Sequence, residues 1–239
     1  MTEPEWLRAR YSEELLRFIE PKVSDRKLHC FAIACARRIA PLLPHPASLH
    51  GVEAMQRFVE GQCSPEDISR LSWDVEGAAF RVEIGGGVPW LQLVEQLPTE
   101  YLLELVANPT YAIQSGRDLL TRAAYFVDSI FCTTPWERRS RDWPQATPPG
   151  NLFRPIALVH EVFGNPFRPV TFSTAWRTST AVAIAQQMYE SRDFSPMPIL
   201  ADALQDADCD HEDILNHCRD ANGTHVRGCW AVDLVLGKS

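Results

Sequence analysis

Six residues with soft or borderline donor atoms, Cys209, His211, His217, Cys218, His225 and Cys229, crowd into 21 positions near the C-terminus. Thiolate and imidazole are the donors that zinc takes, and four of them placed tetrahedrally complete a site. The spacing is not the paired Cys-x-x-Cys arrangement, so the set has to be argued residue by residue. His225 and Cys229 share a face if the turn between them is helical, and Cys218 or Cys209 can complete a tetrahedron from the preceding segment. His217 and Cys218 are adjacent, so on a helix they point in different directions and make poor joint ligands. The candidate metal residues are Cys209, His217, Cys218, His225 and Cys229, and zinc is the metal they suit. Two other readings stand beside this one. Cysteine and histidine also serve as small buried thiols and hydrogen-bonded core imidazoles. A lone reactive thiol is the third reading, because Arg227 and His225 stand near Cys229 and could lower its pKa or act as its base.

Three familiar signatures begin and do not complete. His160-Glu161 opens a zinc-protease pattern, but Gly164 stands where the second histidine would complete the metal face. Asp206, Asp208 and Asp210 imitate the first half of a calcium loop, yet His211 replaces its turn glycine and His217 its bidentate glutamate. No Gly-x-Ser-x-Gly elbow occurs. Gly85-Gly86-Gly87 lacks a following Gly-Lys-Ser/Thr, so it reads as a turn rather than a phosphate loop. With no complete catalytic motif, the chain reads as non-enzymatic.

The other concentration of chemistry is Trp136, Arg138, Arg139, Arg141 and Trp143, within a stretch from 132 to 151 that has four prolines and little helical periodicity. Aromatic and cationic side chains together suit a partner surface or single-stranded nucleic acid. The whole chain carries a formal charge of -8, from 31 acidic and 23 basic side chains. Such a field repels phosphate backbones and anionic membranes. It favours a packed connector, or a protein-binding loop, over a nucleic-acid contact.

These residues have to be positioned by helices. Leu28, Phe31, Cys35 and Ile39 recur at spacings of three and four from Ser24 to about Leu43, and Leu49, Val52, Met55 and Val59 do so before Gly61. A helical hairpin follows, broken by Pro41 and Pro44. Ser64-Pro65-Glu66-Asp67 has the cap, proline and acids of a helix start, with Ile68, Leu71, Val75 and Val82 behind it. Further short helices are expected around Leu91 to Leu97, Leu102 to Val106 and Ile113 to Ile130. Others are expected at about 152 to 163, 178 to 191, 197 to 207 and 211 to 219, with a last apolar segment from Trp230 to Leu236. Gly164-Asn165-Pro166-Phe167-Arg168-Pro169 reads as a fixed irregular turn in which Phe167 caps the core, as Trp176 does beyond it.

The expected fold is all-α, an irregular multi-helix bundle or short helical solenoid. Its parts are an N-terminal layer over 1–131, a connector or long loop over 132–151 and a C-terminal layer over 152–239, possible parts of one continuous domain. Hydrophobic residues make up 45% of the chain, enough for a sizeable core. Seven cysteines, an odd number, with Cys30 and Cys35 inside an apolar stretch, suit reduced thiols rather than a disulfide framework, and Cys132 reads the same way. No secretory leader or membrane span is evident, which places the chain in the cytoplasm.

The C-terminal run Leu200-Ala-Asp-Ala-Leu, Asp208-Cys209-Asp210, Ile214-Leu215, His217-Cys218-Arg219 and His225-Val-Arg-Gly-Cys-Trp230 through Lys238 resembles a bacterial family multiplied in planctomycete genomes. Ser24 to Leu28, Cys35-Ala-Arg37-Arg38-Ile39 and Gly164 to Val170 are similar to that family as well. The likeness covers both ends of the chain and little of residues 70 to 150. It implies no activity, and the cysteines often paired in the family's N-terminal helix appear here as Cys35-Ala36. The leading expectation is a helical scaffold or adaptor that binds another protein through a groove between helices. The alternatives are a zinc-supported or thiol-dependent enzyme built on the Cys209 to Cys229 region, and a nucleic-acid contact through the 136–143 loop.

Overall fold

Apolar residues three and four apart fold this chain into helices, and no strand occurs among the residues described by the computed structural model, 1–9, 12–39, 46–64, 66–68 and 155–238. The architecture is all-α, and no described helix is long and apolar enough to cross a membrane. The helices expected between Leu71 and Ile130, the connector 132–151 and Cys132 lie outside the described residues.

Two compact units divide the chain, residues 9–156 and residues 157–239 joined by 1–8. In the first, α2 (Ser12–Ile19) runs into a short 3-10 helix (Glu20–Lys22), and α3 (Asp25–Ile39) packs on α4 (Pro46–Val59). Leu28, Phe31 and Cys35 are buried, as are Val52 and Met55. Leu49, expected on that stripe, is 39% exposed. Leu49 lies in the first turn of α4, and side-chain burial on that helix begins further along, with Val52, Ala54, Met55 and Gln56. Beyond it Ser64 Oγ accepts from Asp67 N at 3.2 Å while Asp67 Oδ2 accepts from Ser64 N at 3.2 Å, a reciprocal cap.

The second unit holds α1 (Glu3–Arg8), α5 (Pro155–Phe163), α6 (Ser179–Ser191), α7 (Met197–Gln205), α8 (Glu212–Arg219) and α9 (Trp230–Leu236). Its last four helices close a ring, α6 on α7, α7 on α8, α8 on α9 and α9 back on α6. Each supplies one apolar stripe. In α7, Met197, Leu200, Ala201 and Leu204 repeat at three, four and seven, and all are buried. Ala181, Ala185 and Met188 of α6 and Ile214, Leu215 and Cys218 of α8 meet them in one core. Small residues on α6 let its neighbours approach closely.

Caps fix where each helix stops. Thr178 Oγ1 accepts from Ala181 N at 3.2 Å to start α6, and Arg192 ends it in the left-handed region at φ 62°. Arg227 donates from Nε to the Tyr189 carbonyl and from Nη2 to the Glu190 carbonyl, holding the same end from a distant part of the chain. Arg177 does likewise for α9, donating to the carbonyls of Val235 and Leu234 at 2.9 Å each. Guanidinium suits this work because its rigid fork reaches two carbonyls at a helix's negative end.

The turn between α5 and α6 is fixed as its sequence requires. Asn165 Oδ1 accepts from Phe167 N at 3.0 Å, and Arg168 N donates to the Asn165 carbonyl at 3.1 Å. Glu3 of α1 takes Asn165 Nδ2 at 2.8 Å and Arg168 Nε at 2.6 Å, which seats the first helix on this unit. Trp6, fully buried, meets His160 edge-on with ring centroids 5.3 Å apart.

Candidate metal centre

Helix α5 is apolar except for His160 and Glu161. Leu158 and Val162 lie three residues before and one after Glu161, and all three side chains are buried, with Glu161 only 4% exposed. A carboxylate carried into a core costs several kcal/mol unless hydrogen bonds or countercharges meet it. Here Val226 N donates to Oε1 at 3.3 Å, His225 Nδ1 lies 3.2 Å from both oxygens, and His217 Nε2 lies 3.3 Å from Oε2.

Three elements bring the partners in. His217 sits in the last turn of α8, and Cys229 is the residue from which α9 starts. His225 comes from the loop between them, which is built on tight turns. Asp220 Oδ1 accepts from Asn222 N and the Asp220 carbonyl from Gly223 N, each at 3.0 Å, while Cys229 N donates to the Val226 carbonyl at 3.0 Å. The segment from His225 to Cys229 is not helical, so the condition on which the two would share a helical face is not met. A reversal through Gly228 at φ 90° brings them to the same place.

His217 Nε2 and Cys229 Sγ are 3.2 Å apart. The four donor atoms of Glu161, His217, His225 and Cys229 all lie within 4.8 Å of one another. Zinc with about 2.3 Å to sulfur and about 2.0 to 2.1 Å to nitrogen or oxygen has tetrahedral edges of about 3.5 Å between N and S and about 3.3 Å between N and O. Three of the six edges, at 3.2 to 3.3 Å, lie within about 0.3 Å of those lengths.

Of the residues expected to hold metal, His217, His225 and Cys229 converge. Cys209 and Cys218 are buried in the helical core of the second unit and are not among the four. Neighbouring positions on α8 account for the split, because His217 and Cys218 leave the helix about 100° apart. Trp136, Arg138, Arg139, Arg141 and Trp143 lie outside the described residues. Glu161 is the member that sequence reasoning missed. Its signal was a lone carboxylate inside an otherwise apolar helix, discarded because Gly164 is not a histidine. Gly164 has another task. It lies at φ 67°, and a Cβ there would stand 3.1 Å from Trp230 Cγ.

Aromatic rings wall the cluster. Trp230 packs against His217 with centroids 5.0 Å apart, and the two imidazoles meet edge-on at 5.1 Å. Burial pushes the His217 pKa down, and the His225 charge adds to that while Glu161 opposes it. For His225 burial also disfavours the charge, but the hydrogen bond and charge of Glu161, with Asp220, outweigh it and the pKa rises. Burial lifts the Cys218 thiol to about 12 and, with Glu161 nearby, carries Cys229 well above the usual thiol value. A metal-free Cys229 is thus a neutral thiol, and only a cation among these donors would draw out its thiolate. Compared with family models, with curated proteins and with solved structures, the chain matches none of them.

Proposed function

We propose that the C-terminal unit is a helical module stapled by one zinc ion held by Glu161, His217, His225 and Cys229, and that the chain works as a non-enzymatic scaffold or adaptor for another protein. The observation that carries the metal reading is the mutual approach of four donors of three chemical kinds within 4.8 Å. Charge supports it. One carboxylate, one thiolate and two neutral imidazoles around a divalent cation sum to zero, the arrangement that costs least in a dry interior. The donor set of one sulfur, two nitrogens and one oxygen suits zinc better than calcium or magnesium, which take oxygen alone.

Four protein donors fill a tetrahedron and leave no position for substrate, which favours a structural centre over a catalytic one. Cys229 is fully buried and its thiol is held protonated, which counts against a nucleophilic thiol. The staple would join α5, α8, the 220–228 loop and α9, elements up to 68 residues apart in sequence.

Metal analysis of the purified chain tests the reading. One zinc per chain is expected, retained through dialysis and lost in Cys229→Ala and His217→Ala, with Cys209→Ala and Cys218→Ala keeping it. Less than about 0.2 zinc per chain would remove the reading, since structural sites hold metal tightly enough to survive purification. Dependence on Cys209 or Cys218 in place of Cys229 would move the metal elsewhere. For the scaffold, affinity capture from a native lysate is expected to return a reproducible partner, and repeated empty captures would count against it.

A further inference from the structure

The two nitrogens of His225 have unequal surroundings. Nδ1 faces both oxygens of Glu161 at 3.2 Å, whereas Nε2 is fully buried with no direct hydrogen bond, the Asp220 backbone lying near enough to the ring to favour its charged form. What stands against Nε2 is Gly223. A Cβ built on Gly223 would lie 2.8 Å from Nε2, 3.0 Å from His225 Cε1 and 3.0 Å from the Asp220 carbonyl oxygen. The backbone at Gly223 is not in the left-handed region, so its own conformation does not demand glycine. Two groups do, the ring first and the Asp220 carbonyl second. That carbonyl is held by Gly223 N at 3.0 Å, so an added side chain has little room on the turn's side and presses on the imidazole.

We propose that Gly223 is a positioning residue for the metal centre: by leaving room for the far edge of the His225 ring, it fixes Nδ1 rather than Nε2 as the nitrogen that meets the metal. The inference rests on the zinc reading above and specifies which atom of His225 takes part. Pushed by an alanine Cβ, the ring would have to turn its Nδ1 away from Glu161. Metal sites commonly lose 10 to 100-fold in affinity, as an order of magnitude, when a residue orienting a ligand is changed.

Full-length wild type and Gly223→Ala, each loaded with zinc, are compared by chelator competition and by long-range proton–nitrogen correlation of the histidine rings. Wild type is expected to show His225 metal-bound at Nδ1 and protonated at Nε2. Gly223→Ala is expected to bind zinc about 10 to 100-fold more weakly and to lose that pattern at His225. Stability of the metal-free chains separates the ring contact from a general need for glycine. Gly223→Ala should destabilise the parent more than a His225→Ala background, where the ring is gone and only the contact with the Asp220 carbonyl is left. Equal losses in both backgrounds, or unchanged affinity in Gly223→Ala, would overturn the proposal. So would a wild type bound through Nε2, which leaves the zinc reading standing, whereas a wild type that binds no zinc overturns both.

Discussion

Gly164→Ala is the substitution whose cost can be worked out most fully from the structure. Gly164 closes α5 by donating its N–H to the His160 carbonyl at 2.9 Å, and it does so at φ 67°. An L-residue in that conformation costs about 1–2 kcal/mol. The alanine Cβ would also stand 3.1, 3.2 and 3.4 Å from three atoms of the Trp230 indole, so the ring would have to yield by a few tenths of an ångström. Crowding of that kind in a packed interior costs about 1–3 kcal/mol. Together these terms give a loss of about 2–5 kcal/mol. Gly61 provides the control. It has nearly the same φ, 70°, and nothing within 4 Å of where its Cβ would be, so Gly61→Ala should lose only the strain, about 1–2 kcal/mol. Equilibrium denaturation of both variants by urea would measure the difference, expected at about 1–3 kcal/mol. Because Trp230 packs on His217, Gly164→Ala should also weaken zinc binding while Gly61→Ala leaves it alone. Equal destabilisation by the two substitutions would refute the fit between Gly164 and Trp230.

Arg227→Ala removes the fork that holds the end of α6, and for a partly exposed guanidinium the loss expected in urea denaturation is about 1–2 kcal/mol, with Arg227→Lys restoring only part; a neutral result would show that the fork contributes nothing. Burial depresses the His29 pKa below its unfolded value, Asp25 opposing, so the unfolded chain binds the extra proton first. Stability from this group is then present above about pH 6.5 and falls as pH drops below it. A denaturation midpoint compared at neutral and mildly acidic pH should show the loss, and His29→Gln should diminish it; an unchanged acid loss in that variant would assign it to other groups. Buried, protonated Cys218 and Cys229 should resist alkylation at neutral pH, while half-buried Cys63 labels before them. Rapid labelling of Cys229 in the folded chain would support the thiol-enzyme alternative instead.

Much of the helical architecture was legible because it is written in local periodicity. Met197, Leu200 and Leu204 mark their helix by spacing alone, and the last apolar segment, Trp230 to Leu236, coincides with α9. Leu49 shows where periodicity gives out, since it shares a face with buried Gln56 two turns on but lies in the first turn of α4, where it is 39% exposed. The candidate centre was legible in part for a related reason. His217, His225 and Cys229 could be named by donor type, but nothing local separates them from Cys209 and Cys218, which have the same chemistry and face the core. Glu161 lies 56 residues before His217 in sequence, and only the packing of α5 among the C-terminal elements brings it there. Testing it against one helical motif asked whether α5 carried a second ligand, when the other donors come from elsewhere in the chain.

X-ray absorption at the zinc edge of the purified, zinc-loaded chain bears most directly on the centre. The account predicts one sulfur at about 2.3 Å and three nitrogen or oxygen neighbours at about 2.0 to 2.1 Å, two of them with the outer-shell scattering of imidazole. In Cys229→Ala the sulfur shell should vanish. A first shell of oxygen and nitrogen only, or one with two or more sulfurs, would contradict the assignment of Glu161, His217, His225 and Cys229 as the ligands.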